Sequence, residues 1–175
     1  MDKRNTRFIT AGMLLGTGMI LPFLTLQIKE IGDSLLPMHL PIMLCGIFCG
    51  WKYGLVCGLL LPFLRSVCFG MTPVYPNALW MALELAGYGS VVSVLYNCVF
   101  KKRFWCVYPS LLIAMIVGRI IWGISKAILL GFTDKAFTFT MFLVQGFVDA
   151  VPGIILQLIL IPFIVKIREK AVRAM

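Results

Sequence analysis

The sequence predicts an all-α integral membrane protein, with six transmembrane helices in one bundle and both termini in the cytoplasm. Hydrophobic residues make up 61% of the 175-residue chain, charged residues make up 13%, and the mean hydropathy is +0.97. This composition is typical of membrane proteins. Because one crossing needs about 20 apolar residues, the length allows six or at most seven spans. We therefore expect a single transmembrane domain over residues 1–175.

Charged residues and prolines divide the chain into six apolar stretches. We place the spans at residues 8–28, 35–50, 53–70, 76–100, 104–131 and 137–166. The second and third spans are short and contain Pro37, Pro41 and Pro62, which predicts kinked or partly re-entrant segments. No small-residue cleavage signal follows the first span, so we expect it to be retained rather than cleaved as a signal peptide.

The basic residues predict the orientation. Eleven of them fall on one side of the spans, at positions 3, 4, 7, 52, 101, 102, 103, 166, 168, 170 and 173, whereas only Lys29 and Lys135 lie in loops on the other side. Basic loops remain in the cytoplasm, so both termini are expected there. This topology also explains the net charge of +9, so we expect contact with anionic lipid headgroups and no nucleic-acid binding.

Five ionisable side chains interrupt the apolar stretches: Arg65, Glu84, Arg119, Lys126 and Asp149. A charge at such depth is costly, and it normally faces a polar interior, pairs with another charge or contacts a ligand. In the predicted topology, Arg119 lies near the middle of its span and the other four lie toward the outer side. The sequence therefore predicts a polar solute site that opens outward.

Helical spacing groups these charges with aromatic and amide side chains. Positions 77, 80, 84 and 88 share one face of the fourth span, and positions 119, 122 and 126 share one face of the fifth. The pairs 65 and 69, and 145 and 149, are each one turn apart. The candidate binding residues are His39, Arg65, Phe69, Asn77, Trp80, Glu84, Tyr88, Arg119, Trp122, Lys126, Gln145 and Asp149.

Structural ion pairs are the alternative to a solute site. In that arrangement Arg65 pairs with Glu84, and Lys126 or Arg119 pairs with Asp149. We favour the solute site because hydrogen-bonded pairs in membranes contribute only about 1 kcal/mol each, which is less than the desolvation cost of the charges. His39 lies between two prolines and suits the capping of broken backbone as well as ligand binding.

Glycines and cysteines indicate packing. Gly12 and Gly16 form a small face on the first span, and further glycines at positions 46, 50, 54 and 58 recur through the turn between spans two and three. Such faces usually pack helices within one protein. The first three spans carry less buried charge than the last three, so the Gly12 and Gly16 face also suits a membrane partner. The six cysteines lie in or beside apolar runs, which favours reduced packing thiols.

Missing motifs narrow the mechanism. The sequence contains no G-x-x-x-x-G-K-[ST] phosphate loop, so ATP-driven transport would need separate ATPase subunits. It contains no H-E-x-x-H or G-x-S-x-G motif, and with a single histidine we expect no metal site and no cofactor. Two other classes stay open: a membrane-embedded enzyme that uses His39, Glu84 or Asp149 as acid and base, and a non-transporting membrane assembly protein.

Several segments resemble the substrate-binding S components of energy-coupling factor (ECF) vitamin transporters. They are LPMHLPIMLCG at 36–46, GWKYG at 50–54, PVYP at 73–76 and ELAGYG at 84–89, together with the small face of Gly12 and Gly16. The resemblance covers most of the chain. The family commonly has alanine at both positions of the small face, where this sequence has glycine.

The resemblance implies a function and partners. An S component is a non-enzymatic subunit of the bacterial cytoplasmic membrane that captures a micronutrient at the outer surface with very high affinity. It associates with a transmembrane T component and two ATPase subunits, and it is thought to topple in the membrane to release the solute inside. The resemblance also implies that spans four to six and the outer loops form the pocket, while Gly12 and Gly16 meet the T component.

Charge and aromatic content restrict the expected solute. Three buried cations against two buried anions suit a carboxylate or phosphate, and the aromatic side chains suit a flat ring. Glu84 or Asp149 is placed to accept a hydrogen bond from a ring N–H or an amine. The resemblance implies a small water-soluble vitamin, with pyridoxine-type compounds first, followed by the thiamine pyrimidine precursor and pantothenate, and a queuine-like base also suits a flat-ring site.

Overall fold

The computed structural model describes residues 3–24, 37–70, 74–100, 103–131 and 138–174, and every regular element within these ranges is helical. The α-helices are α1 (Lys3–Leu24), α2 (His39–Cys49), α3 (Trp51–Phe69), α4 (Leu79–Ser93), α5 (Val107–Gly131), α6 (Phe139–Leu143) and α7 (Val151–Ala174). A wider π-helical turn at Val94–Val99 extends α4 at its C-terminal end, and another at Val144–Val148 follows α6. A kinked segment, Val74–Ala78, in which Tyr75 has an extended backbone conformation, precedes α4. A short 3-10 turn, Phe104–Cys106, precedes α5.

The helices coincide with the six predicted spans to within a few residues, except that the last helix continues to Ala174. Four helical stretches are long and apolar enough to cross a membrane: Trp51–Phe69, Tyr75–Val99, Phe104–Leu130 and Thr140–Ala171. The all-helical membrane class is confirmed, whereas the count of six crossings and the cytoplasmic termini stay predictions. Residues 25–28, 35–36 and 137, which were assigned to span ends, lie outside the described residues.

The second predicted span is the short helix α2, which has only 11 residues. At a rise of 1.5 Å per residue it is about 16 Å long, roughly half of the hydrocarbon core. It ends at Gly50, whose φ of +108° is rarely adopted by other residues. The expectation of a short second segment therefore agrees with the structure. Pro62 instead lies inside the continuous helix α3 and does not divide it.

Glycines allow α2, α3 and α4 to approach one another closely. A Cβ atom added to Gly54 on α3 would lie 2.6 Å from the carbonyl oxygen of Gly89 on α4, and one added to Gly58 would lie 2.6 Å from the backbone nitrogen of Ala86. Gly46 on α2 faces the same Gly89 carbonyl. Larger side chains would clash with backbone at these positions, so these glycines pack helices within the chain, as their spacing predicts.

The helix α4 lies at the centre of the packing, in contact with α2, α3 and α5, while α1 packs on α2 and α3. One buried apolar cluster joins α2, α4, α5 and α7 and includes Met43, Leu111 and Ile161. A second cluster joins the four helices α1, α2, α3 and α4, and it includes Ala11 and Leu61. All the site-bearing helices except α6 therefore contribute to a shared core, which fixes their relative rotation.

The cysteines are free thiols, as the apolar settings predict. Cys45, Cys49 and Cys57 are buried in the second cluster, where they pack as small apolar side chains. Cys68 and Cys98 are exposed on the surface of the chain.

Polar contacts tie together the end of the bundle formed by the C-terminal half of α7. The Asn97 amide donates to the carbonyl oxygens of Gly46 and Ile47, which are among the last carbonyls of α2. The Tyr96 hydroxyl donates to Glu169 Oε1 over 3.1 Å, and the Arg168 guanidinium lies 4.0 Å from the centroid of the Phe48 ring. The Gly46 carbonyl also accepts from the backbone N–H of Gly50, so the Asn97 amide adds to the hydrogen bonds at the end of the short helix α2.

Candidate functional site

An ionic cluster lies between α2, α4 and α5. Glu84 on α4 accepts a hydrogen bond through Oε1 from Arg119 Nη1 on α5, over 3.1 Å. His39 Nε2, at the first residue of α2, lies 3.4 Å from the same oxygen. The three residues are 3%, 5% and 3% exposed, respectively, so the charges are almost completely removed from the surface. The three residues lie within a range of 81 positions in the sequence. The packing of α4 against α2 and α5 brings them together.

The cluster leaves polar atoms unsatisfied among the described residues. Arg119 Nε and Nη2 and both ring nitrogens of His39 are buried and have no hydrogen-bond partner there. The Nε and Nη2 hydrogens of arginine project from one edge of the planar guanidinium, the edge that binds carboxylates in a bidentate manner. A buried donor without an acceptor costs about 1–3 kcal/mol, and more when it is charged. The site is therefore incomplete without an additional acceptor.

Aromatic rings surround the cluster. The Tyr88 ring meets the His39 ring edge to face, with centroids 4.9 Å apart. The Trp122 ring centroid lies 5.8 Å from the Arg119 guanidinium carbon and 4.6 Å from Lys126 Nζ. Trp80 also contacts Lys126, at 5.5 Å from its ring centroid. Trp122 and Tyr88 are buried, so their rings line the interior beside the charged residues.

Lys126 connects α5 to the segment after α6. Its Nζ donates to Gln145 Oε1 over 2.6 Å. The Trp122 ring stacks on the Phe142 ring of α6, with centroids 6.2 Å apart. This contact needs Gly123, because a Cβ atom there would lie 2.6 Å from Phe142 Cδ2. Aromatic and polar contacts thus extend from the buried cluster to the α6 region.

The structure brings together eight of the twelve predicted site residues. The eight are His39, Trp80, Glu84, Tyr88, Arg119, Trp122, Lys126 and Gln145.

The other four predicted residues lie apart from the described contacts of this cluster. Arg65 Nη1 donates to the Met38 sulfur, over 2.7 Å. Phe69 is 42% exposed, and Asn77 is half-buried in the kinked segment Val74–Ala78. Asp149 is exposed at the turn that precedes α7. Their role in binding stays a prediction.

The ion pairs expected under the structural alternative are wrong. Glu84 pairs with Arg119 rather than with Arg65, and Lys126 bonds to Gln145 rather than to Asp149. Arg119 on α5 is the partner of Glu84 because α4 and α5 pack closely against each other. An added Cβ at Gly118 would lie 2.7 Å from the Tyr88 ring, so this glycine permits the close approach.

Sequence reasoning missed Gly118, Gly123 and Phe142. Phe142 lies three residues before Gln145, so helical spacing was the available signal for its place beside the site. The two glycines had no signal of this kind, because their role depends on which ring the opposite helix presents. Among the described residues, no group of three histidine, cysteine or acidic side chains is placed to hold a metal ion.

Comparison with known proteins confirms the family. The model of the family described as ECF transporter, substrate-specific component, matches residues 6–165, a range that contains the whole cluster. No curated protein gives a significant match, and no solved structure does so either. The match spans well over half of the sequence and agrees with the resemblance carried by the segments at 36–46 and 84–89. The chain therefore belongs to the family of substrate-specific components of ECF transporters.

Proposed function

We propose that this chain captures a small water-soluble vitamin or related heterocycle at the outer face of the bacterial cytoplasmic membrane and holds it with high affinity for import. Membership of the family makes the chain a substrate-specific membrane component of an ECF importer. The observation that carries the specific proposal is the buried Glu84, Arg119 and His39 cluster, whose guanidinium edge and imidazole lack acceptors or donors among the described residues.

The unsatisfied atoms favour ligand binding over a purely structural ion pair. A structural pair is stable in an apolar interior only when further hydrogen bonds satisfy the remaining donors. Arg119 uses one of its nitrogens for Glu84, and two others have no partner among the described residues. A bound polar solute would supply the missing bonds and would therefore recover part of the desolvation cost.

The aromatic surface supports a flat solute. Trp80 and Trp122 flank Lys126, and Tyr88 lies against His39. A heterocycle can stack on these rings while Glu84 accepts a hydrogen bond from a ring N–H or an amine. Pyridoxine-type compounds come first in this proposal, followed by the thiamine pyrimidine precursor, pantothenate and a queuine-like base.

Transport requires partners, and Gly12 and Gly16 are the proposed contact with the T component. In the part of the chain that the structure describes, no atom lies within 4 Å of a Cβ added at either glycine, in contrast to Gly54 and Gly58. Gly12 is exposed, and Gly16 is half-buried. Two ATPase subunits would supply the energy, because this sequence lacks a phosphate-binding loop. The small face of α1 is thus open to a second membrane helix.

The proposed orientation predicts the accessibility of two loops. In a variant without native cysteines, we expect Lys135→Cys to react with an impermeant maleimide on intact cells, and Lys102→Cys to react only after the cells are opened. Both positions lie outside the described residues, and the expectation rests on the asymmetry of basic residues. The reverse labelling pattern would place the site on the cytoplasmic side and would contradict uptake.

Mass spectrometry of copurifying small molecules tests the proposed function most directly. We expect protein purified from cells grown in rich medium to retain about one small molecule per chain, because the high affinity proposed here implies slow dissociation during purification. Heat-denatured protein should release the same molecule. A preparation of folded protein that carries no small molecule and binds none on addition would contradict the proposed capture of a vitamin-like solute.

A further inference from the structure

Arg119 presents a second binding edge besides the one that faces Glu84. Its Nη1 donates to Glu84 Oε1 over 3.1 Å, while Nε and Nη2 have no hydrogen-bond partner among the described residues. These two nitrogens form a planar fork whose spacing matches the two oxygens of a carboxylate. Arg119 is only 5% exposed, so solvent cannot readily accept hydrogen bonds from these two nitrogens.

We propose that the solute carries a carboxylate group and that the Nε and Nη2 edge of Arg119 binds this group in a bidentate manner. This inference rests on the proposed solute-binding function and names the chemical class of its ligand. Among the solutes proposed above, it selects acids such as pantothenate or 4-pyridoxate over pyridoxine, the thiamine pyrimidine precursor and a queuine-like base. The Glu84 carboxylate then has a positioning role toward Arg119, because it holds Nη1 and thereby fixes the plane of the fork.

The balance of charge at the site supports an anionic ligand. Glu84 contributes one negative charge, and Arg119 and Lys126 contribute two positive charges that share the Trp122 ring. Lys126 bonds to the neutral amide of Gln145. A solute with one negative charge would neutralise the excess, and neutralisation is favoured strongly in a medium of low polarity.

The arrangement favours a carboxylate over a phosphate. A phosphate can also bind an arginine edge through two oxygens, but it carries about two negative charges and would need a second cation close to Arg119. The two cations are instead separated by seven residues of α5, about 10 Å along the helix axis, with Trp122 between them. A solute beside Arg119 can direct its carboxylate to the fork, while Lys126 Nζ lies over the Trp122 ring, 4.6 Å from its centroid.

Matched pairs of acid and neutral compounds test the proposal. The probes are nicotinate with nicotinamide, pantothenate with panthenol, and 4-pyridoxate with pyridoxine, each titrated into purified full-length protein while tryptophan fluorescence or heat is recorded. In the pair that the site accepts, we expect the acid to bind about 30-fold or more tightly than its neutral partner, as the loss of a charge-assisted bidentate contact would cause.

The variant Arg119→Lys tests the two-pronged geometry of the guanidinium separately from its positive charge. Lysine keeps a positive charge beside Glu84 but cannot bind a carboxylate through two coplanar N–H groups. We expect the preference for the acid, taken as the ratio of the two dissociation constants, to fall to about threefold or less. Arg168→Lys is the matched control, since Arg168 contacts Phe48 at the other end of the bundle. It should leave the preference intact.

The possible outcomes distinguish this inference from the proposed function. Equal affinity for acid and neutral partner, a full acid preference in Arg119→Lys, or tight copurification of a neutral or phosphorylated molecule would overturn the carboxylate assignment and leave solute capture standing. Binding of none of the six compounds, combined with purified protein that holds no small molecule, would overturn both. Copurification of a carboxylic acid that binds Arg119→Lys much more weakly would support the inference.

Discussion

Glu84→Gln is expected to weaken solute binding by roughly 10- to 100-fold, the equivalent of the roughly 1.5–3 kcal/mol that a hydrogen bond to a charged group contributes. The amide retains one acceptor for Arg119 Nη1 but removes the negative charge that both Arg119 and His39 approach. Folding should suffer less than binding, because the size of the side chain is unchanged. Calorimetric titration with the copurified solute, together with thermal unfolding, measures both effects.

Glu169→Gln is the matched control for this substitution. Glu169 also accepts a hydrogen bond from another side chain, the Tyr96 hydroxyl, but it lies at the other end of the bundle. Tyr96 is twelve residues along the chain from Glu84, about 18 Å if the spacing is that of an α-helix. We expect solute affinity to be unchanged in this control. If Glu84→Gln binds solute as wild type does while its melting temperature falls, the buried charges serve only the fold.

The double substitution Gly12→Leu and Gly16→Leu should abolish most ATP-dependent uptake without affecting solute binding. An added Cβ at either glycine meets no atom of the described residues within 4 Å, so we expect the isolated protein to accept leucine at both positions. The same side chains would hold a partner helix away from α1 at the proposed T-component contact, where close approach needs small residues. Uptake into vesicles that contain the full complex should fall by at least about tenfold, whereas affinity measured on the isolated chain should not change.

Thr17→Leu provides the control for bulk on the same helix. Thr17 is exposed and lies about 100° around α1 from Gly16, so leucine there adds volume outside the proposed contact. Uptake should stay near the wild-type rate. Wild-type uptake by the double variant would exclude the glycine face as the coupling contact. Concentrative uptake by this chain alone would contradict the requirement for ATPase partners.

The sequence alone was sufficient for the class of protein and for the position of the helices. Hydropathy is a local property, and a stretch of 20 apolar residues predicts a helix in a membrane whatever its neighbours are. The same reasoning identified Glu84 and Arg119 as costly charges and predicted a shared interior site. Family membership also followed from short segments such as the one at 84–89, and the match over residues 6–165 confirmed it.

The pairing of the charges could not be predicted from spacing. Helical periodicity shows which side chains share one face, but it does not show which helix that face meets or at what rotation. Asp149 illustrates the limit, because it lies one turn after Gln145 in an ideal helix. In the structure the helix is interrupted between Val144–Val148 and α7, and the Asp149 side chain is exposed.

The sequence by itself determined an apolar helical chain with a few buried charges, an aromatic site and two glycine faces. These features follow from composition and residue spacing, which can be read within each helix separately. Only the tertiary structure decided that Gly54 and Gly58 pack inside the chain while Gly12 is exposed. It also decided that Glu84 binds one edge of Arg119, whereas the other edge has no partner among the described residues. The physical reason is that these outcomes depend on the contact of α4 with α2, α3 and α5, and such contacts join residues that are far apart in sequence.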